Sequence, residues 1–374
     1  MTTFLFRRSV EKAFQLDEQP SDLSLNLAKE ISSQPPYISS TVDDVMYVVS
    51  QVVERSLATS DRAVIASAVP SIARVLDSDF IGMIQRKMRD ESYPKAAIQG
   101  ALPPEQTIIT FLVLINNLDV ATDYVKRIVQ SRVKNFFLAE PSQDAEKSSS
   151  SSLAALFPFD HEARFVVNTL RSLQQSFESK TSELISDGIY VIFKNVVKPR
   201  LRPIVADSFR DIDYQMTAEE LEQMSKEAEA KDGDVIPVEF AVQHHFQRGW
   251  DATTKPLVRI LTAPNFDRLL AVVISYLSEI SEKRIWSYYG RLDDLGAVRL
   301  ERDIAGIVST VVRGGKYGLR DAFARCTQIC LVMNMEEDEW DELQARRGGA
   351  SGDATEWKIN GDERVRARAM LRNN

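Results

Sequence analysis

The chain has 374 residues, of which 44% are hydrophobic and 27% charged, an ordinary composition for a protein with an apolar core. That balance excludes disordered, collagen-like and disulfide-scaffold chains, and at about 150 residues per domain the length predicts two or three folded units. The 46 basic and 54 acidic residues give a net charge of −8. An acidic chain is a poor candidate for a nucleic-acid partner, because phosphate neutralisation supplies most of that affinity.

Cysteine content and hydropathy predict a cytosolic protein. Cys326 and Cys330 are the only cysteines in the sequence, too few for a secreted disulfide framework. The longest strongly apolar run, residues 108–115, is far shorter than the roughly 20 residues of a membrane span, so no transmembrane segment is predicted. At the start, arginines follow the few apolar residues, which is the reverse of a signal peptide.

The apolar residues follow a helical period along almost the whole chain. Residues 42–53, 111–128 and 266–280 each repeat the i, i+3, i+4, i+7 spacing of an amphipathic helix. Asp43 and Asp44 suit the N-terminus of the first of these helices, where negative charge is favoured. Strict alternation of apolar and polar residues over five or more positions is missing, which argues against β-hairpins. We therefore predict an all-α fold.

Boundaries between helical patterns are few. The proline pairs at 35–36 and 103–104 interrupt two patterns, since proline removes a backbone donor and restricts the residue before it. The serine-rich stretch 140–152 is the strongest boundary, because so polar a segment cannot bury enough surface to offset the entropy of ordering it. A long pattern then runs from about residue 160 to 197 and is predicted to end at Pro199 and Pro203.

A helix of some 35 residues would reach roughly 50 Å, which suits extended antiparallel bundles better than a compact globule. The predicted architecture is an elongated stack of helical bundles. Its parts are an amino-terminal bundle at 1–140, a serine-rich flexible loop at 141–156, a middle bundle at 157–262 and a carboxy-terminal bundle at 263–374.

Two acidic segments occur in the second half of the chain. Residues 217–234 contain seven acids and two lysines, and a second cluster lies at 336–342. Thr217 and Glu220 form the pattern of a capping box at the start of the first segment. A solvated helix face is the favoured interpretation of both segments, and an acidic docking strip is the alternative.

The sequence contains no convincing catalytic constellation. Gly315-Lys316 lacks the earlier glycine and the following Ser/Thr of a phosphate-binding loop. The three histidines are not spaced to hold a metal, and Cys326 and Cys330 have no further cysteine or histidine nearby. We expect both cysteines to be buried packing residues, and no enzymatic activity, cofactor or metal is predicted.

Basic residues concentrate at the end of the sequence, at Arg364, Arg366, Arg368 and Arg372. Their spacing spreads them around much of a helix, so a solvated face is the favoured interpretation. A contact for an acidic partner helix or for anionic lipid headgroups is the alternative.

Six segments, read in order along the chain, carry a family resemblance. They are residues 40–47, 78–80, 111–117, 197–200, 291–292 and 319–325, and their motif residues are Asp43, Asp44, Asn117, Arg291, Arg320, Asp321, Phe323 and Arg325. Together these segments resemble the subunit 4 family of the conserved oligomeric Golgi complex, a vesicle-tethering assembly. The resemblance covers about residues 40 to 363, which is nearly the whole chain.

The resemblance implies a non-enzymatic tethering subunit on the cytoplasmic side of the Golgi membrane, peripheral to it, acting in retrograde transport within the Golgi and so in the recycling of glycosylation enzymes. Its implied partners are the other subunits of the complex, Golgi SNAREs, SM-class proteins and Rab GTPases. The family's amino-terminal half, which carries the contact to sibling subunits, is expected to be absent, leaving the carboxy-terminal leg. The alternative is a helical-rod subunit of another tether, such as the exocyst, at a different membrane.

A structural ion pair between Arg325 and Glu363 is the one specific contact predicted. Arg325 lies about 100° around a helix from Cys326, at the edge of an apolar face formed by Leu319, Ala322, Phe323, Cys326, Cys330 and Met333. Glu363 is chosen as partner because, in the resembled family, a terminal helix with a carboxylate at the corresponding position follows the motif around Arg325. Such a pair would clamp the terminal helix onto the last bundle.

Overall fold

The structure is a computed structural model that describes residues 2–95, 102–137, 153–220, 222–223, 226, 240–313, 316–345 and 356–371. The chain divides into two compact units. The first comprises Met1–Val196 and Lys255–Leu269, and the second comprises Val197–Thr254 and Leu270–Asn374. The three-bundle division of 1–140, 157–262 and 263–374 remains a prediction.

Helices account for the regular structure of both units. In chain order they are α1 (Thr2–Gln15), α2 (Ser40–Ala58), α3 (Arg62–Val75), α4 (Gly82–Arg86), α5 (Glu105–Phe137), α6 (Leu153–Leu156), α7 (Asp160–Ile192), α8 (Lys198–Ser208), α9 (Ala241–Ile260), α10 (Ala263–Trp286), α11 (Asp294–Val311), α12 (Ala324–Met333), α13 (Glu337–Ala345) and α14 (Gly361–Arg368). Three π-helical segments, Leu76–Ile81, Lys87–Glu91 and Phe193–Val197, and the 3₁₀ helix Tyr317–Phe323 extend or join them.

The prediction of an all-α fold is confirmed. The residues that the structure describes contain no β-strand, and their one ladder contact is an isolated parallel bridge between Leu292 and Leu371. The apolar stripes lie where the helical period places them, on the buried faces of their helices. In α2, for example, Val42, Val45 and Val49 are fully buried.

Predicted helix ends are wrong at two places. Pro199 and Pro203 lie inside α8 instead of ending the preceding helical run. Pro199 is tolerated because it occupies the first turn, where its missing N–H has no intrahelical partner to lose. The predicted loop 141–156 also ends too late, since Leu153 is buried and opens the short helix α6. The rest of that loop, residues 141–152, lies outside the described residues.

The first unit is organised around α5 and α7, two helices of 33 residues each. The segment Glu105–Val133 is long and apolar enough to cross a membrane by length and composition alone, and 67% of its most apolar window is buried inside the unit. Two asparagines interrupt this apolar helix. The amide of Asn116 donates to the Ile260 carbonyl at 2.8 Å and accepts from the Thr262 N–H at 3.0 Å, so the polar group is satisfied in the core.

The second unit is organised around α11, which is buried on most of its faces. Asp293 caps the helix by accepting from the Gly296 N–H at 2.6 Å. Gly296 itself lies against the backbone of Tyr214, and a Cβ atom there would be 1.8 Å from the Tyr214 carbonyl oxygen. The close approach of these two segments therefore requires a glycine.

The segment around Arg325 is not one continuous α-helix as predicted. Residues Tyr317–Phe323 form a 3₁₀ helix, and α12 begins at Ala324. The tighter winding of the 3₁₀ helix turns Ala322 to the solvent and leaves Leu319 half-exposed, whereas Phe323, Cys326 and Cys330 are fully buried. The predicted apolar face thus holds from Phe323 onward and fails before it.

Candidate functional site

Arg325 lies near the start of α12, between carboxylates from two other helices of the second unit. Its Nε and Nη2 atoms donate to the two carboxylate oxygens of Glu282, in α10, at 2.9 and 2.8 Å. Its Nη2 and Nη1 atoms donate to the two oxygens of Glu363, in α14, at 2.6 and 3.3 Å. The planar guanidinium therefore binds two carboxylates, each through two nitrogens, a geometry that lysine cannot reproduce.

This ion-pair network, defined as Arg325, Glu282 and Glu363, is partly shielded from water. The side chains of Arg325, Glu282 and Glu363 are 38%, 21% and 28% exposed. Hydrogen bonds from Arg325 hold the pKa of both glutamates below the usual range, and the two carboxylates raise the pKa of Arg325. All three groups are therefore charged at neutral pH, and because two carboxylates share one guanidinium the network keeps a net charge of −1.

The predicted partner Glu363 is present in the network because of how α14 begins. Asn360 and Glu363 form a capping box, in which the Asn360 side chain accepts from the Glu363 N–H and the Glu363 carboxylate accepts from the Asn360 N–H at 2.8 Å. One carboxylate thus caps the terminal helix and pairs with Arg325.

Sequence reasoning missed two residues that hold the same terminal segment. Glu282 was not predicted as a partner of Arg325, because nothing in its local sequence indicates that α10 lies beside α12. The buried amide of Gln328 donates to the Glu356 carbonyl at 2.8 Å and accepts from the Lys358 N–H at 2.7 Å. A polar glutamine on the otherwise apolar face of α12 was the available signal, since buried amides are hydrogen-bonded.

The other seven motif residues lie outside the ion-pair network. Asp43 accepts a hydrogen bond from the Tyr124 hydroxyl at 2.8 Å, and buried Asn117 exchanges hydrogen bonds with Ser39. Phe323 is fully buried, whereas Asp44, Arg291, Arg320 and Asp321 are exposed. Of the eight motif residues, Arg325 is the one that lies in the ion-pair network.

The terminal arginines make contacts within the second unit that the predicted solvated face did not include, although Arg366 is exposed. Arg364 lies over the Trp357 ring at 5.1 Å, Arg366 lies over the Trp286 ring at 4.5 Å, and Arg368 donates to the Met335 carbonyl. Packing of α14 against its neighbours brings aromatic rings and carbonyls to these side chains, which spacing alone does not reveal. Arg372 lies outside the described residues.

A buried acid–tyrosine pair lies elsewhere in the second unit and was not predicted. The Tyr214 hydroxyl donates to Asp303 at 2.6 Å, and Arg299 donates to the Asp213 carbonyl at 2.8 Å. Asp303 is 7% exposed. Burial raises its pKa to about 6, against the opposing effects of the Tyr214 hydrogen bond and two nearby arginines.

The Asp303 carboxyl should make stability fall with increasing pH. A group with a raised pKa contributes stability that is complete below its ordinary value of 3.8 and is lost as the pH rises through about 6. The free energy of unfolding should fall by about 3 kcal/mol over that interval, and we expect Asp303→Asn, which keeps an acceptor for Tyr214, to remove this fall. The measurement is urea unfolding at several pH values, with the exposed Asp321→Asn as control. Parallel curves for Asp303→Asn and the unchanged chain would contradict the assignment.

The cysteines are placed as packing residues. Cys326 and Cys330 are each 1% exposed, and burial raises the pKa of the Cys326 thiol to about 12. Buried thiols of this kind are poor nucleophiles at neutral pH. Within the residues that the structure describes, no group of three or more His, Cys, Asp or Glu side chains is arranged to hold a metal ion.

Comparison with known proteins gives matches to two family descriptions. Residues 1–88 match "COG4 transport protein, middle alpha-helical bundle", and residues 111–366 match "Conserved oligomeric Golgi complex subunit 4, C-terminal". These segments include the ion-pair network and the buried acid–tyrosine pair.

Three curated relatives, each named conserved oligomeric Golgi complex subunit 4, have similar sequences. The protein from Arabidopsis thaliana is 24% identical over 347 residues, which cover 91% of this chain and 40% of the relative. The protein from Saccharomyces cerevisiae is 23% identical over 268 residues, which cover 70% of this chain and 30% of the relative. The Homo sapiens protein is 20% identical over 369 residues, covering 90% and 40%.

The chain therefore spans about 40% of the length of the Arabidopsis and human relatives. The resemblance noted at the motif residues is confirmed by matches that extend over most of the sequence. Since the second description alone covers residues 111–366, more than half of the chain, the chain belongs to the family of subunit 4 of the conserved oligomeric Golgi complex.

Proposed function

We propose that the chain acts as the carboxy-terminal part of a non-enzymatic subunit of a Golgi vesicle-tethering complex. In this role it lies on the cytoplasmic side of the Golgi membrane, peripheral to it, and assembles with the other subunits of the complex. The observation that carries the proposal is that the middle and carboxy-terminal descriptions of the family follow one another along the chain, at residues 1–88 and 111–366.

The physical features of the described residues agree with a binding role. Their ionisable groups pair into networks that join helices, as Arg325 does with Glu282 and Glu363. Asp303 and Cys326, whose pKa values are strongly raised by burial, lie in packed interiors. A tethering subunit needs stable helical surfaces for partners, and these contacts supply stability.

The finer role proposed is support of SNARE, SM-class and Rab engagement during retrograde transport within the Golgi, and thereby the recycling of glycosylation enzymes. It comes from the family resemblance. The competing assignment is a helical-rod subunit of an exocyst-like tether at another membrane.

Capture of the tagged full chain from cytosol, followed by quantitative mass spectrometry, tests the proposal. We expect enrichment of the other Golgi-complex subunits, Golgi SNAREs and Golgi Rab GTPases over an equally tagged helical protein of unrelated sequence. The Arg210→Ala variant of the chain is a control bait, because this substitution removes an exposed arginine that lies outside the ion-pair network. Enrichment of plasma-membrane tether subunits, or no Golgi partner from a chain with native helical content, would overturn the proposal.

A further inference from the structure

An arginine and two aromatic rings, the exposed Tyr289 and the half-buried Trp286, form a cluster in the second unit, where α14 meets the end of α10. The guanidinium of Arg366 lies 4.5 Å from the centre of the Trp286 ring and 5.9 Å from that of Tyr289. Tyr289 is 48% exposed, and Arg366 is also exposed. Lys283, one turn before Trp286, and Arg291, two residues after Tyr289, are exposed as well. We call these five residues the basic–aromatic surface.

A hydrogen bond to the ion-pair network holds the basic–aromatic surface in place. The Trp286 indole N–H donates to Glu282 at 3.3 Å, and the same carboxylate accepts from Arg325 at 2.8 Å. The backbone is joined as well, because the Gly290 N–H donates to the Met370 carbonyl at 2.9 Å. The Trp286 ring is therefore held in place before any partner arrives, which lowers the entropy cost of binding.

The charge of this surface is opposite to that of the chain. The whole sequence carries a net charge of −8, yet three of the five residues are cations. The carboxylates of the adjoining turns, Glu282 and Glu363, share the single cation of Arg325, so together they offset only one of the three positive charges of the surface. Asp362, one turn before Arg366 in α14, is exposed and is a further acid next to the surface.

We propose that the basic–aromatic surface binds the anionic face of a phospholipid bilayer. Arginine and lysine attract the phosphates and carboxylates of acidic lipids, and tryptophan and tyrosine favour the boundary between headgroups and acyl chains. A bilayer offers both environments at one surface, whereas an acidic peptide offers the charge alone. The inference deepens the proposed function, on which it rests, by naming the part of the chain that contacts the membrane.

Co-sedimentation of the full chain with vesicles tests the inference. We expect binding to phosphatidylcholine vesicles that contain phosphatidylserine, little binding to phosphatidylcholine alone, and weaker binding as the salt concentration increases. Arg366→Ala should weaken vesicle binding about fivefold and Arg366→Glu about 25-fold, because each cation near an anionic membrane contributes roughly that factor. Tyr289→Ala should weaken it about threefold through the lost interfacial ring.

Two further variants separate this surface from a general effect of charge. Arg320→Glu changes the charge by the same amount at an exposed position of the same unit, and should alter vesicle binding less than twofold. Asp362→Asn removes the neighbouring acid and should strengthen binding by about fivefold. Circular dichroism of each variant checks that helical content is retained, and Tyr289→Ala tests the surface without any change of charge.

Three results would overturn the inference. They are no binding of the folded chain to phosphatidylserine vesicles, equal losses for Arg320→Glu and Arg366→Glu, or binding of a glutamate-rich peptide in place of vesicles. Capture from cytosol requires no bilayer, so the proposed function can be supported when vesicle binding fails. Loss of the Golgi partners in that capture, with vesicle binding intact, would instead count against the proposed function.

Discussion

Replacing Arg325 with alanine should lower the free energy of unfolding by about 3 kcal/mol, the lower end of the range for a broken buried ion pair. Removal of the guanidinium leaves Glu282 and Glu363 without their shared cation and close to each other, so each carboxylate loses its compensation. The partial exposure of the side chains, 38% for Arg325, keeps the cost from being larger. The measurement is urea unfolding of the full chain, followed by circular dichroism.

A double-mutant cycle separates the ion pair from the packing of the arginine stem. We expect Arg325→Ala and Glu363→Ala to be non-additive by more than about 1 kcal/mol, because the second change removes a carboxylate that the first has already left unpaired. Arg210→Ala is the matched control in the same unit, since it breaks an exposed pair with Asp207 and should cost less than about 0.5 kcal/mol. Additive effects of Arg325→Ala and Glu363→Ala would end the idea of a clamp.

The pH dependence of the same variant gives an independent check. Arg325 lowers the pKa of Glu282 and Glu363 below their ordinary value of 4.5, so the stability that it contributes is present above that value. It is lost as the pH falls through the lowered pKa values of the folded chain. The difference in stability between Arg325→Ala and the unchanged chain should therefore shrink in acid, and a constant difference would show that the ion pairs contribute little.

Gly296→Ala should lower the free energy of unfolding at least as much as Arg325→Ala does, by more than about 3 kcal/mol. The added Cβ would lie 1.8 Å from the Tyr214 carbonyl oxygen and 2.8 Å from its carbonyl carbon. Both atoms belong to the backbone, so relief requires the Tyr214 segment to move away from α11. That movement would also disturb the hydrogen bond from Tyr214 to buried Asp303.

Gly318→Ala is the matched control for this second prediction. It is the same substitution in the same unit, but a Cβ at Gly318 meets no atom within 4 Å. We expect its free energy of unfolding to stay within about 0.5 kcal/mol of that of the unchanged chain. If Gly296→Ala also unfolds at the normal urea concentration, the close approach of Tyr214 to α11 is incorrect.

Helices α2 and α12 show which parts of the fold the sequence could predict and which it could not. The i, i+3, i+4, i+7 spacing of Val42, Val45 and Val49 predicted both the helix and its buried face, because helix geometry alone determines which residues share a face. The same rule failed before Phe323, where the chain winds as a 3₁₀ helix and the period changes. Pro199 and Pro203 show a further limit, since Pro199 lies in the first turn of α8, where proline is favoured, and Pro203 is accommodated inside the same helix.

The sequence by itself determined the all-α class, the family and the choice of Arg325 and Glu363 as notable residues. Only the tertiary structure decided that Glu282 is a second partner of Arg325 and that Trp286 supports Arg366. It also decided that Asp303 is buried against Tyr214. The physical reason is that helical period and capping depend on neighbours within a few residues along the chain. Ion pairing, ring stacking and burial of a carboxyl depend on which helices pack together, and no local pattern records that choice.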